Sequence, residues 1–199
     1  MLYYGLEVVA KNLFHSQIGS VQGVENLPSP PCILCANHVS PYDPILLVVM
    51  LYFWLKQYNK KIYFLTNRKV ILPFTPFRRY FGMFRGTKSG LIEAISLIKK
   101  GIPVGIFPNR DRKPGQIRKF HLGPAYLALK ANVPIVPIGI KTNQEVNPSW
   151  DIKKIIRSFR DKKHLIIDKP IIPSNNDTVY KLTEQLTQAI GNLINKKVV

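Results

Sequence analysis

The sequence predicts an α/β fold: a single domain with a largely parallel sheet flanked by helices and an N-terminal amphipathic helix. Three observations carry that expectation. Short apolar runs of strand character alternate with segments whose apolar residues recur at helical spacing. Clusters of proline, glycine and asparagine punctuate the series. A chain of 199 residues at 46% hydrophobic, with 10 Phe, 9 Tyr and 2 Trp, is long and apolar enough to build one real core, far from the regime in which charge prevents folding. The expected organisation is one domain over residues 1–199, without repeats, low-complexity tracts or a linker.

Taken in order, residues 2 to 14 have a helical pattern, with Leu2, Tyr3, Tyr4 and Leu6 interrupted by Glu7 and Lys11. This first helix either lies on a membrane surface, over residues 1–15, or packs on the core. Ile18 to Val24 reads as a short strand, closed by the turn cluster Asn26-Leu27-Pro28-Ser29-Pro30-Pro31. Cys32 to Ala36 is a short apolar strand. A helix is expected from Pro44, since proline is tolerated in a first turn, through to about Trp54. Ile62 to Leu65 is strand-like, and the following segment to Tyr80 is broken by Pro73 and Pro76. Leu91, Ile95 and Ile98 mark a helix that ends at Lys99-Lys100-Gly101, with cations and a glycine suited to a C-terminus. Ile102 to Phe107 is a buried strand, Asn109 to Lys119 a basic loop, Gly123 to Asn132 a helix, and Pro134 to Ile140 another strand. Leu165 to Ile167 is a further short apolar run, and Val179, Leu182, Leu186, Ile190 and Leu193 hold the spacing of a final helix.

Charge restricts the partners. The formal net charge is +18, and 17 basic residues against Glu93 and Asp111 place +15 of it between Lys56 and Lys130. Such a field points to a polyanion, to anionic lipid, or to a merely solvated basic face. Nucleic acid is not expected, because the chain has no zinc-ligand spacing, basic zipper or aromatic RNA-binding signature. No apolar stretch approaches the roughly 20 residues of a spanning helix. The N-terminus lacks the positive flank of a secretory signal, so export is not expected. Cys32 and Cys35 read as buried structural thiols, because residues three apart on a strand face opposite sides and no second pair completes a metal site.

The sharpest local feature is Asn37-His38-Val39-Ser40-Pro41-Tyr42-Asp43, between a buried strand and a helix. In α/β sheets the reactive groups collect beyond strand ends. A turn through Pro41 brings Asp43 back to His38, where a carboxylate on one ring nitrogen fixes the tautomer and leaves the other as a base. The same pair is also compatible with a purely structural hydrogen bond. Ser40 reads as the cap of the following helix. No serine or cysteine nucleophile stands at fixed spacing, so direct deprotonation of a substrate hydroxyl is simpler than a covalent intermediate. His15, His121 and His164 lack such a carboxylate and read as structural or exposed. Arg85, after Gly82-Met83-Phe84, and Arg110, Arg112 and Lys113, after Phe107-Pro108, fall on other strand-end loops, and the guanidinium fork suits phosphate oxygens.

Together these blocks resemble the glycerophospholipid acyltransferases, the family of 1-acylglycerol-3-phosphate acyltransferase. Asn37-His38 through Asp43 is similar to the family's N-H-x-x-x-x-D block, and Gly82-Met83-Phe84-Arg85 to its second, although a residue or two shorter. Phe107-Pro108-Asn109-Arg110-Asp111-Arg112 resembles the F-P-E-G-T-R block, and Val133-Pro134-Ile135-Val136-Pro137-Ile138 the fourth, V-P-I-V-P-V. The third block departs from the pattern: Asn109-Arg110-Asp111 stands where the family has Glu-Gly-Thr, which keeps Arg112 but loses a carboxylate and a flexible glycine.

The resemblance implies a glycerolipid O-acyltransferase that moves a fatty acyl chain from acyl-CoA or acyl carrier protein to the free hydroxyl of a lysophospholipid, with 1-acylglycerol-3-phosphate as acceptor. His38 would be the general base and Asp43 its orienting partner. Arg85 and Arg112 would hold the acceptor phosphate, with Asn109 and Arg110 beside them, while Pro134 and Pro137 of the fourth block would line the acyl site. The helix from Pro44 would face the bilayer of a peripheral, monotopic protein on the cytoplasmic side, in contact with an anionic membrane surface. No bound cofactor and no metal are implied, the thioester being a co-substrate. The altered third block leaves a non-catalytic lipid-binding relative as the alternative, and the acceptor head group open.

Overall fold

A computed structural model describes residues 18–40, 43–66, 83–85, 87–109, 116–142 and 161–198. The expected N-terminal helix and the segment holding Pro73 and Pro76 lie outside them. Within the described residues the strands are β1 (Ile18–Gln22), β2 (Ile33–Ala36), β3 (Tyr63–Thr66), β4 (Met83–Arg85), β5 (Val104–Ile106), β6 (Gln116–Ile117), β7 (Ile135–Thr142), β8 (Lys163–Ile167) and β9 (Lys197–Val198). The helices are α1 (Asp43–Met50), α2 (Tyr52–Gln57), α3 (Lys88–Lys99), α4 (Gly123–Ala131) and α5 (Val179–Leu193).

Seven strands form one sheet in the order β1-β8-β7-β2-β5-β3-β4. Its pairs are parallel except β7 with β8, which is antiparallel. The sheet is therefore largely parallel, as the alternation of runs predicts. β2 is central and wholly buried, as a run of four apolar residues between helical layers should be. Its alternation sends Cys32, Leu34 and Ala36 to a core shared with Leu47, Leu51, Trp54 and Leu55 of the α1–α2 side. Ile33 and Cys35 face the opposite core, with Ala94 and Ile98 of α3, Leu127 of α4 and Leu186 of α5. The two thiols thus sit on opposite faces, both buried, and burial pushes Cys32 up to about 12 and Cys35 further still. Truncating a residue such as Leu34 would cost about 2–5 kcal/mol, because both sides of the sheet are packed.

Several expected elements appear with altered bounds. The helix from Pro44 is two helices divided at Leu51, although Leu51 N–H still donates to Leu47 O and Leu55 N–H to Leu51 O. α3 begins at Thr87, whose hydroxyl accepts from Gly90 N–H, and ends before Gly101 at φ 73°, a conformation that glycine adopts without strain. α4 closes on Asn132 in the left-handed region. Inside the expected basic loop, Gln116–Ile117 pairs with Lys197–Val198 as a separate two-stranded sheet, a pairing too short to have any readable period. β8 begins at Lys163, two residues ahead of the apolar run, because this lysine is itself buried.

Candidate active site

β2 ends at Ala36, and the next four residues build the centre of the site. Asn37 is buried, and its side chain extends the pairing of β2 with β7: Nδ2 donates to Ile140 O at 2.9 Å, and Ile140 N–H donates to Oδ1 at 2.7 Å. That clamp fixes where the chain leaves the sheet. His38 follows, its ring 4.6 Å from that of Phe107, which in turn stacks on Phe64 at 5.9 Å. Phe64 lies over Gly105 of β5, where a Cβ would collide with the ring. A residue without a side chain at 105 is therefore what lets the aromatic pair lie behind the imidazole.

Asp43, at the start of α1, is completely buried and folds back as expected, with Oδ2 2.6 Å from His38 Nδ1. The same oxygen accepts Val39 N–H at 2.6 Å and Ser40 N–H at 2.8 Å, while Oδ1 accepts the Ser40 hydroxyl at 2.6 Å. A buried carboxyl group with this many donors is held firmly in one orientation. The expected cap role of Ser40 is corrected here: its hydroxyl donates to Asp43, a stronger acceptor, so it braces the carboxylate rather than receiving a helix N–H. With Nδ1 donating to Asp43, the imidazole's Nε2 carries the lone pair. His38 is 24% exposed, so it is open to a substrate while its partner is not.

The remaining predicted residues divide by position. Asn109 joins the centre, since its Oδ1 accepts His38 N–H at 3.1 Å. This side chain therefore supports the backbone of the histidine, a contact with no signature in the sequence beyond residue type. Arg85 ends β4 opposite Thr66, at the carboxyl edge of the sheet and three strands from β2. Pro137 is buried within β7 opposite Cys35, and Pro134 lies at the opening of β7, where its carbonyl accepts Ile33 N–H, at the strand end away from His38. Arg110 and Arg112 lie outside the described residues. His164 accepts from Ser20, and His121 is exposed, so neither of these described histidines has a carboxylate like that of His38. Ser40, Asn37 and the Asn109 contact are the parts that residue patterns alone miss. Among the described residues, no group of three or more histidines, cysteines or carboxylates is arranged to hold a metal, and no helix is long and apolar enough to cross a membrane.

Comparison with known proteins gives the family and the fold. The family model described as Acyltransferase matches residues 19–141, which include His38, Asp43 and Asn109. The chain is 31% identical over 164 residues to a chloroplastic 1-acyl-sn-glycerol-3-phosphate acyltransferase, BAT2, of Brassica napus, covering 79% of this chain and 46% of that protein. It is 26% identical over 144 residues to a 1-acyl-sn-glycerol-3-phosphate acyltransferase of Pseudomonas aeruginosa, covering 62% and 49% respectively. It spans about half the length of these curated relatives. In fold it is similar to the crystal structure of the 1-acyl-sn-glycerophosphate acyltransferase PlsC of Thermotoga maritima, with a TM-score of 0.72 at 22% identity, covering 97% of this chain and 78% of that one.

Proposed function

This chain belongs to the acyltransferase family, and from that premise we propose that it is a glycerolipid O-acyltransferase with residues 1–199 as one catalytic domain. The acceptor is the free hydroxyl of a lysophospholipid, 1-acylglycerol-3-phosphate, the compound in the names of its relatives. The donor is the thioester of acyl-CoA or acyl carrier protein. The observation that carries this reading is the 2.6 Å contact between His38 Nδ1 and buried Asp43, on a partly exposed histidine beyond the central strand.

The chemistry needs no enzyme nucleophile. Nε2 of His38 takes the proton of the acceptor hydroxyl as its oxygen bonds to the thioester carbonyl carbon. When the tetrahedral intermediate collapses, the carbon–sulfur bond breaks and the imidazolium returns that proton to the departing thiolate. Asp43 stabilises the imidazolium and keeps the proton on Nδ1. Ser40 donates its hydroxyl to Asp43, and Cys32 and Cys35 are buried with their thiols pushed up, which supports direct attack over an acyl-enzyme.

Arg85 and Arg112 hold the acceptor phosphate, with Asn109 and Arg110 beside them, and the fourth block around Pro134 and Pro137 contributes to the acyl site. Peripheral association with an anionic membrane on its cytoplasmic side fits the α1–α2 surface, where Ile45 is 42% and Phe53 76% exposed and Lys56 follows Phe53 on the same helix. The test is a panel of lysolipids offered to the purified protein with acyl-CoA and with acyl carrier protein, products being identified by mass. Catalytic formation of phosphatidic acid is the expected result. Vesicle binding without any product would instead favour a lipid-binding relative that has lost turnover.

A further inference from the structure

One cavity that no step of the proposed chemistry uses lies at the carboxyl end of β7. Its volume is about 270 Å³, and its polar lining is Asn37, Lys141, Thr142, His164, Asn195 and Lys196. No Asp or Glu is among its described lining residues. That space is far more than one water needs, and two ammonium groups without a facing carboxylate in the lining favour an anion. Both lysines fall outside the segment from Lys56 to Lys130 that holds most of the net charge, so the arginine loops expected to hold the acceptor do not account for them.

The strands build this place. β7 continues past the end of β2: Ile138 lies opposite Ala36, and beyond it Lys141 and Thr142 pair with His164 and Lys163 at the start of β8. Ile140, Leu165 and Ile167 belong to the core shared with α1 and α2, so alternation turns Lys141 and His164 to the other side of the sheet. On that side Gly139 permits a close approach, since a Cβ there would stand 2.7 Å from Leu193 Cβ. The end of α5 therefore rests on β7, and the chain turns at Asn195, φ 57°, to bring Lys196 to the cavity. His164 is held from the side of β1. Its Nδ1 accepts Ser20 N–H at 3.2 Å, which leaves the ring hydrogen on Nε2 as a donor, and a Cβ at Gly19 would stand 2.6 Å from its ring.

Asn37 joins this cavity to the site. It lines the cavity, while the next residue, His38, turns its ring to Asp43 and Phe107 on the side of α1. A ligand that uses both places must carry its anionic group on an arm that rounds the end of the sheet. The acceptor has no such arm, because its phosphate sits on the carbon next to the one that bears the reacting hydroxyl. Both thioester donors have one, because a pantetheine arm separates the sulfur from the nearest phosphate. We propose that this cavity binds a phosphate ester of the acyl donor, through Lys141, Lys196 and His164. The assignment rests on the acyl-transfer reading and deepens it, yet binding can be measured without turnover.

The experiment is calorimetric titration of the wild type, Lys141→Gln and Lys141→Gln/Lys196→Gln with CoA, with phosphopantetheine and with glycerol 3-phosphate, alongside acyl-transfer kinetics. Loss of the Lys141 ammonium should weaken donor binding and raise KM for the donor about tenfold, and loss of both ammonium groups further, with KM for 1-acylglycerol-3-phosphate nearly unchanged. A loss for phosphopantetheine, with or without one for CoA, assigns the cavity to the phosphate that both carriers share. A loss for CoA alone assigns it to the nucleotide phosphates, and either result supports the proposal. Equal affinity of the wild type and the folded variants for CoA and phosphopantetheine overturns it, as does a wild type that binds neither. A loss confined to glycerol 3-phosphate would make the cavity an acceptor site and also overturns it. If Lys141→Gln does not fold, Lys196→Gln is read by the same criteria. Lys141-dependent binding of CoA or phosphopantetheine without acylation of any lysolipid would reject the acyl-transfer reading and leave the binding site standing.

Discussion

The two faces of the sheet are packed by the same rule and filled differently. On the side of α3, α4 and α5 the core is aliphatic and aromatic, and the buried polar groups of α5 are Thr183 and Thr187. Each satisfies itself locally, with the Thr183 hydroxyl donating to Val179 O and that of Thr187 to Thr183 O, both at 2.7 Å. Thr187 also accepts Phe120 N–H at 3.2 Å. On the side of α1 and α2 the core is equally apolar at its centre, but the edge nearest His38 contains Asp43, Ser40 and Lys163. Neutral hydroxyls bonded within a helix are inexpensive to bury, whereas ions are not. On the proposed reading, chemistry takes place on the face where charges stay buried despite their desolvation.

The strongest way to break this contrast is at Asp43. Asp43→Asn retains the shape but replaces one acceptor oxygen with an amide that cannot accept, so it should cost about 2–4 kcal/mol in denaturant unfolding. It should also lower acyl-transfer turnover about 100-fold or more, since the imidazolium loses its counter-charge. Gly105→Ala attacks the same face through packing. The new methyl would displace Phe64, and with it Phe107 from behind His38, at about 1–3 kcal/mol and with a measurable loss of turnover.

On the opposite face the effects should separate from activity. Thr187→Val removes the acceptor for Phe120 N–H and should cost about 1–2 kcal/mol by the same denaturation measurement, while kcat and KM stay at wild-type values. The smallest effect is at the entry to α5. There Asp177 bonds Lys181 and accepts from Ser174 N–H and its hydroxyl, which holds its carboxyl down at about 2. A depressed pKa stabilises the fold above the ordinary aspartate value near 3.8, and that contribution is lost as pH falls toward 2. Asp177→Asn should flatten this acid-side dependence in a stability–pH profile and lower neutral stability slightly, the bonded partner Lys181 being largely exposed and its charge screened.

How far the sequence could be read follows the same division. β2, α3, α4 and α5 are legible because their side chains obey a single period and end in recognisable signals such as Gly101 and Asn132. His38 and Asp43 are legible because they stand five positions apart with a proline between them, a spacing that a turn beyond a strand can close. Lys163 is not, since a lysine ahead of Leu165 looks like the solvent boundary of the strand, whereas it is buried on the face whose core Leu165 shares with Leu34 and Leu47, far earlier in the chain. The contacts of Asn37 with β7 and of Asn109 with His38 are equally remote in sequence. They depend on strand order, with β2 between β7 and β5, which no local pattern encodes.

The central claim is that His38, on the charged face, is the general base of acyl transfer. Multiple-turnover transfer from acyl-CoA or acyl carrier protein to 1-acylglycerol-3-phosphate in anionic vesicles, with wild type and His38→Ala compared, tests it most directly. The expected result is a loss of at least about 100-fold in kcat with vesicle binding and the folded state preserved. Transfer by His38→Ala at the wild-type rate would contradict it.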